Sequence, residues 1–222
     1  MRLWSWTAAL ACALVAPPVA PAQDAAAVFA EALQERYETI RDFSADFVHT
    51  YRGGVLRRQL TERGQVLIKK PGRMRWDYKT PEEKLFVSDG STMYSYIPED
   101  RQVIVSELPP DDSAATPALF LAGKGNLLRD YSASFVELPP DLPAGARALK
   151  LVPITPQAEY EWIVLAVDPA TLALRGLSFV DPQGGTSTLA FSNLQENVGL
   201  ADKLFAFSPP RGVEVVTESS GR

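Results

Sequence analysis

After Asp42 the hydrophobic period of this chain drops from 3.6 residues to 2, a pattern that β-strands satisfy and helices do not. Phe43, Ala45, Phe47, His49 and Tyr51 fall on one face of the first such run, and Met74, Trp76 and Tyr78 alternate with Arg73, Arg75, Asp77 and Lys79 in a second. Further runs of the same kind cover 63–69, 83–88, 92–97, 102–106, 131–138, 147–152, 160–167, 172–180 and 186–192. Turn signals separate many of them, among them Pro71-Gly72, Ser88-Asp89-Gly90, Asp168-Pro169 and Asp181-Pro182-Gln183-Gly184-Gly185. Strands this short and closely spaced meander antiparallel. With no crossover helix between them, a parallel sheet is not expected.

Two segments depart from the rhythm. Upstream, Phe29, Leu33, Tyr37 and Ile40 recur on one face of a helix expected over 24–41, with Asp24 as its N-cap. Within 107–126, Thr116 can cap a short helix that has Pro117 at its first position and Gly123 as its stop. Its body, Ala118-Leu119-Phe120-Leu121-Ala122, is apolar throughout and must lie on something, so it reads as a cover across the sheet. Phe43, Phe47, Tyr51, Met74, Trp76, Tyr78, Leu85, Val87, Val103 and Val105 are the bulky residues that the two helices would have to cover. A curved sheet closed this way can enclose an apolar hollow, or it can be packed solid; the pattern alone leaves both open.

The first residues read as a secretory leader. Arg2 precedes an apolar stretch from Leu3 to Val19, and Ala20-Pro21-Ala22 supplies small residues for cleavage, giving residues 1–22 as signal peptide and 23–222 as one domain. Cys12, the only cysteine, follows Ala9-Leu10-Ala11, a poor context for acylation. A mature chain beginning at Gln23 would have no disulfide and must be stable from its core.

Chemistry is sparse. The formal charge of −5 offers no basic stripe for nucleic acid. His49, the only histidine, sits on an apolar strand face, and the carboxylate pairs Glu82-Glu83, Glu99-Asp100 and Asp111-Asp112 fall in turns and loops. No phosphate loop, dinucleotide fingerprint or metal-ligand spacing is present. The acid–base inventory is that of a non-enzyme, with no cofactor and no catalytic residues expected.

The residues do carry a resemblance. Phe43-Ser-Ala-Asp-Phe47, the run from Gly64 through Lys70-Pro71-Gly-Arg-Met74-Arg-Trp76-Asp-Tyr78, then Leu85-Phe-Val-Ser-Asp-Gly90 and Tyr94-Ser-Tyr96-Ile-Pro98 resemble the LolA family of periplasmic outer-membrane lipoprotein carriers. Thr116-Pro117, the Leu119-Phe120-Leu121 helix and the closing Phe205-Ala-Phe207-Ser-Pro209-Pro210-Arg-Gly212-Val213 extend the likeness over nearly the whole mature chain. The resemblance implies a single-domain, mainly β fold: an unclosed antiparallel β-barrel covered by an N-terminal helix and a short helical lid. It implies a monomeric periplasmic chaperone whose hollow receives lipoprotein acyl chains from an inner-membrane ABC transporter and passes them to an outer-membrane receptor. On that basis the cavity is expected from Phe47, Val66, Ile68, Met74, Trp76, Tyr78, Leu85, Val87 and Tyr96, and the lid from Thr116, Pro117, Leu119, Phe120 and Leu121. The family's basic residue before the proline, usually arginine, donates to lid carbonyls in the empty form, which makes Lys70 the expected latch. A lipid-anchored receptor of the same fold would require acylation of Cys12, and a lipopeptide-sensing domain would require room for a further module.

Overall fold

A computed structural model of the chain describes residues 22–53, 59–109 and 114–218. The expected leader, apart from Ala22, and Cys12 lie outside the described residues. Helix α1 (Ala22–Glu38) is followed by β1 (Asp42–Arg52), β2 (Gln59–Lys69), β3 (Arg73–Thr80), β4 (Lys84–Asp89), β5 (Thr92–Ile97) and β6 (Gln102–Glu107). Two short helices come next, α2 (Pro117–Leu121) and α3 (Leu127–Asp130). The chain continues through β7 (Tyr131–Val136), β8 (Arg147–Pro153), β9 (Trp162–Val167), β10 (Leu174–Val180) and β11 (Thr186–Glu196), a 3-10 turn (Asp202–Phe205), and β12 (Glu214–Glu218). Helix α1 starts at Ala22, so Asp24 lies in its first turn and does not cap it, and it stops at Glu38, short of the expected Arg41.

Among the described residues, twelve strands form one sheet in the order β12-β6-β5-β4-β3-β2-β1-β11-β10-β9-β8-β7. The β7 and β12 edges are not laddered together, and the sheet is an unclosed barrel, as expected. Register shifts at Ser44/Asp46, Arg63/Gly64 and Leu174/Gly176 bend it, since a residue left out of the ladder sharpens the local twist. On the concave side Phe43, Ala45 and Phe47 of β1 face Ile68 and Val66 of β2, Met74 and Trp76 of β3, and Leu165, Leu177 and Leu189 farther round; all are buried in one core. Helix α1 closes the β7 end, where Phe29 packs edge-on against Phe135 with ring centroids 5.5 Å apart.

Two details depart from expectation. The first is at one edge of the otherwise antiparallel sheet: β12 pairs with β6 in parallel. Residues 197–213 return along the convex side as loop and 3-10 turn, so no helix is needed to bring the last strand alongside β6. The second concerns β4, β5 and β6. Trp76 pairs with Phe86 and Met74 with Ser88, so the concave residues of β4 are Phe86 and Ser88. Leu85, Val87 and Tyr96, together with Val103 and Val105, therefore face the convex side. That side has its own apolar cover: Phe205 is buried, and the Phe207 ring lies 5.5 Å from that of Tyr94 and 5.8 Å from that of Tyr96. Lys69 and Arg73 pin the covering segment through Asp202, at 2.5 and 3.3 Å.

Candidate functional site

The concave face of β1, β3 and β4 is not filled. A cavity of about 290 Å³ lies between it and α2. Its floor and walls are Met74, Trp76, Tyr78, Phe86, Met93, Phe179 and Leu189; its roof is Thr116, Pro117, Ala118 and Leu121. The lining is almost wholly hydrocarbon and aromatic, with His49, Tyr78 and Glu159 as its titratable members.

Three residues of the expected cavity, Met74, Trp76 and Tyr78, line it. Phe47, Val66 and Ile68 stand on the same face but are buried in the core beside and beneath them; Phe47 meets Trp76 and Tyr78 edge-on, at 5.4 and 4.8 Å. Leu85, Val87 and Tyr96 belong to the convex side and are not part of the cavity. Sequence reasoning missed Phe86 and Met93, which the strand alternation would have supplied had the face been counted from Trp76 across its pairing partners.

Helix α2 forms for the local reasons its sequence gives. The Thr116 side chain accepts from the Leu119 amide at 3.1 Å, Pro117 occupies the first turn where no amide is required, and Gly123 leaves the helix with φ +82°. Its faces are divided. Thr116, Pro117 and Leu121 reach the cavity; Phe120 turns away, stacked on Tyr37 with ring centroids 6.0 Å apart, and Leu119 is buried in the core. Of the three large residues expected in the lid, Leu121 alone lines the hollow.

The lid is tied down at both ends. At its start the Tyr160 hydroxyl donates to the Ala114 carbonyl at 2.9 Å, and Tyr160 and Tyr131 share a hydrogen bond of 2.8 Å. At its end the Gly72 amide donates to the Ala122 carbonyl at 2.9 Å, and the Tyr37 hydroxyl to the Leu121 carbonyl at 2.5 Å. Lys70 donates to no lid carbonyl among the described residues. Its ammonium lies 3.1 Å above the Tyr37 ring and donates to the Tyr37 carbonyl at 2.5 Å, while its stem packs on Gly123. The hydrogen bond to a lid carbonyl expected of Lys70 is made by Tyr37, against which Lys70 packs. Lysine offers a point charge where arginine has a planar fork, and here that charge goes to an aromatic face and a helix-terminal carbonyl. Burial pushes the Tyr37 hydroxyl upward, so it stays a donor.

Lys70 is itself held far below the usual lysine value, to about 7, because burial of the ammonium outweighs the pull of Glu38 and Glu196. The folded chain therefore binds this proton less readily than the unfolded chain. The stability this provides is present above about pH 10.5, is lost as pH falls toward about 7, and is flat below. Lys70→Met removes that slope. In thermal melts across this range the variant should gain on the wild type as pH falls from 10 to 7; a difference that stays constant would show that the amine is not desolvated.

The other end of the cavity is polar. His49 Nδ1 lies 3.0 Å from a Glu62 carboxylate oxygen and Nε2 lies 3.3 Å from Ser187 Oγ, while Lys84 binds the other Glu62 oxygen at 2.7 Å. The order serine–histidine–acid is that of a hydrolytic relay. Here Ser187 is buried in the strand pair and Lys84 neutralises the acid, which makes the group a closed network. Burial lowers the His49 pKa more than Glu62 raises it, so the ring is neutral at neutral pH.

Residues 38–208 match the family described as Outer membrane lipoprotein carrier protein LolA. The chain belongs to this family. A Chromohalobacter salexigens outer-membrane lipoprotein carrier protein is 29% identical over 218 residues, covering 98% of this chain and 99% of its own. One from Nitrosospira multiformis is 31% identical over 188 residues, covering 84% of this chain and 87% of its own. Among solved structures, an uncharacterized conserved protein from Thermus thermophilus shares the fold, with TM-score 0.51 at 14% identity over 85% of this chain and 99% of that one. LolA proteins are carriers and not enzymes, in keeping with a cavity whose walls hold aromatic and aliphatic side chains.

Proposed function

We propose that this LolA-family chain is a periplasmic chaperone that shelters lipoprotein acyl chains between the concave face of β1, β3 and β4 and the α2 lid. It would take them from an inner-membrane ABC transporter and release them to an outer-membrane receptor, after a leader over 1–22 has directed its export. One observation carries the reading: an apolar cavity of about 290 Å³ closed by a short helix that is tied down through a few hydrogen bonds. Burying an acyl chain gains about 0.8 kcal/mol per methylene. Ten methylenes would give about −8 kcal/mol before costs, near micromolar affinity. The hollow is at the small end of ligand sites, so cargo with more than one chain has to lift Pro117 and Leu121 from the roof. Release then follows when a partner binds the chains more tightly than a cavity that regains its own lid contacts.

The test is direct. The full chain, mixed with a fluorescent triacylated lipopeptide and no detergent, should carry the lipopeptide into the monomer peak on gel filtration. Lipopeptide that elutes only as aggregate at ten micromolar protein would refute the assignment.

A further inference from the structure

One atom in the cavity wall does not fit a purely hydrocarbon ligand. Trp76 is 5% exposed, and its Nε1–H is covered and has no hydrogen-bond acceptor among the described residues. Buried donors are almost always paired, and an indole nitrogen can only donate. Tyr131 and Tyr160, which are also buried, and the partly buried Tyr37 all have partners around the lid. The exception belongs to a ring that forms the cavity lining.

Its position along the strand is informative. Met74 pairs with Ile68 and Ser88, Trp76 with Val66 and Phe86, and Tyr78 with Gly64 and Lys84. One level beyond Tyr78 stand His49 and Glu62, paired across β1 and β2. The cavity therefore runs from a polar end to an apolar end, where Leu121 is tied by Tyr37. Trp76 sits one level in from Tyr78, about 7 Å along the strand. A fatty acyl group has the matching order: a polar attachment, a carbonyl at the first carbon, and then methylenes alone.

Resting on the carrier reading above, we propose that Trp76 Nε1 donates a hydrogen bond to the carbonyl oxygen of a bound acyl group, so that the site recognises acylated cargo and not hydrocarbon as such. The attachment would lie toward His49 and Glu62, and the chain would run past Met74 beneath Leu121. The nitrogen is covered in the empty form, so the acyl oxygen reaches it as the wall around the ring shifts on binding; a donor with no partner to give up then contributes most of the bond's strength to discrimination.

Two lipids that differ by one carbonyl isolate this contact: 1-palmitoyl-lysophosphatidylcholine and its 1-O-hexadecyl ether counterpart. Affinities for both are measured by displacement of a fluorescent fatty-acid probe from the full chain and from Trp76→Phe. The wild type should bind the ester about tenfold more tightly than the ether, and in Trp76→Phe the ratio should fall to about one. In the wild type, the indole ¹H–¹⁵N resonance absent from the spectrum of Trp76→Phe should move downfield with the ester only. The ratio is internal to each protein, so a general loosening of the variant does not imitate the result. A wild-type ratio near one, or a ratio that survives in Trp76→Phe, overturns the proposal while leaving the carrier reading intact. Binding of neither lipid overturns both.

Discussion

Met74→Glu should weaken acyl-chain binding by at least about tenfold at pH 8 while leaving the fold in place. Met74 has no exposed surface, yet its side chain forms part of the cavity wall. A carboxylate there would face methylenes, with no cation supplied by the neighbouring Trp76, Ile68 or Ser88. An uncompensated buried charge is costly enough that the group raises its own pKa or draws in water, and either outcome makes the wall less favourable for hydrocarbon. The lost apolar contact alone, about two methylene equivalents at about 0.8 kcal/mol each, accounts for a tenfold effect. Because burial raises a carboxyl pKa, binding should recover partly at pH 5, where the side chain is neutral. Probe titrations at the two pH values, with circular dichroism to check the fold, would read this out; full-strength binding at pH 8 would remove Met74 from the site.

The part of this site that could be read from the sequence is the part where one face is apolar and the other charged. On β3, Met74-Arg75-Trp76-Asp77-Tyr78 leaves no choice of face, and the structure puts all three large residues into the cavity. On β4 the chain reads Leu85-Phe86-Val87, bulky on both faces, and a slip of one residue exchanges the two sides of a strand. Both faces are apolar for a reason that lies 120 residues away: the Phe205–Phe207 segment covers the outer one. That long-range cover left no periodic signal, and neither did β12, whose five residues are all exposed. The lid was legible because capping is local: Thr116, Pro117 and Gly123 announce it within eight residues. The latch was not. Tyr37 reads as one more apolar position on α1, and only its burial beneath α2 makes its hydroxyl seek the Leu121 carbonyl, as buried tyrosines do. Lys70, expected to donate to lid carbonyls, reaches Tyr37 instead.

Gly64→Ala should destabilise the protein by about 3 kcal/mol, lowering the melting temperature by about 10 °C. Gly64 sits on the concave face of β2, opposite Phe47 and Tyr78, at a register shift in the β2–β3 ladder. A Cβ at this position would overlap the Asp77 carbonyl oxygen and come within 2.8 Å of Phe47 Cζ. The ring could shift; the carbonyl belongs to β3 and cannot move without opening the ladder. The residue is thus glycine for space, since its backbone is not in the left-handed region that excuses many glycines in turns. The effect should reach the site as well. Phe47 lies over this gap with its ring edge-on to both Trp76 and Tyr78, so any displacement of Phe47 pushes into two residues of the cavity wall. Trimming the ring offers a separation of causes. If Phe47 were the obstacle, Phe47→Leu would rescue Gly64→Ala; because the backbone oxygen is the closer obstacle, the double variant should remain at least as unstable as Gly64→Ala alone. A loss below 1 kcal/mol in chemical denaturation, or rescue by Phe47→Leu, would mean that β2 and β3 can part at this bulge and that the cavity floor is softer than its packing implies.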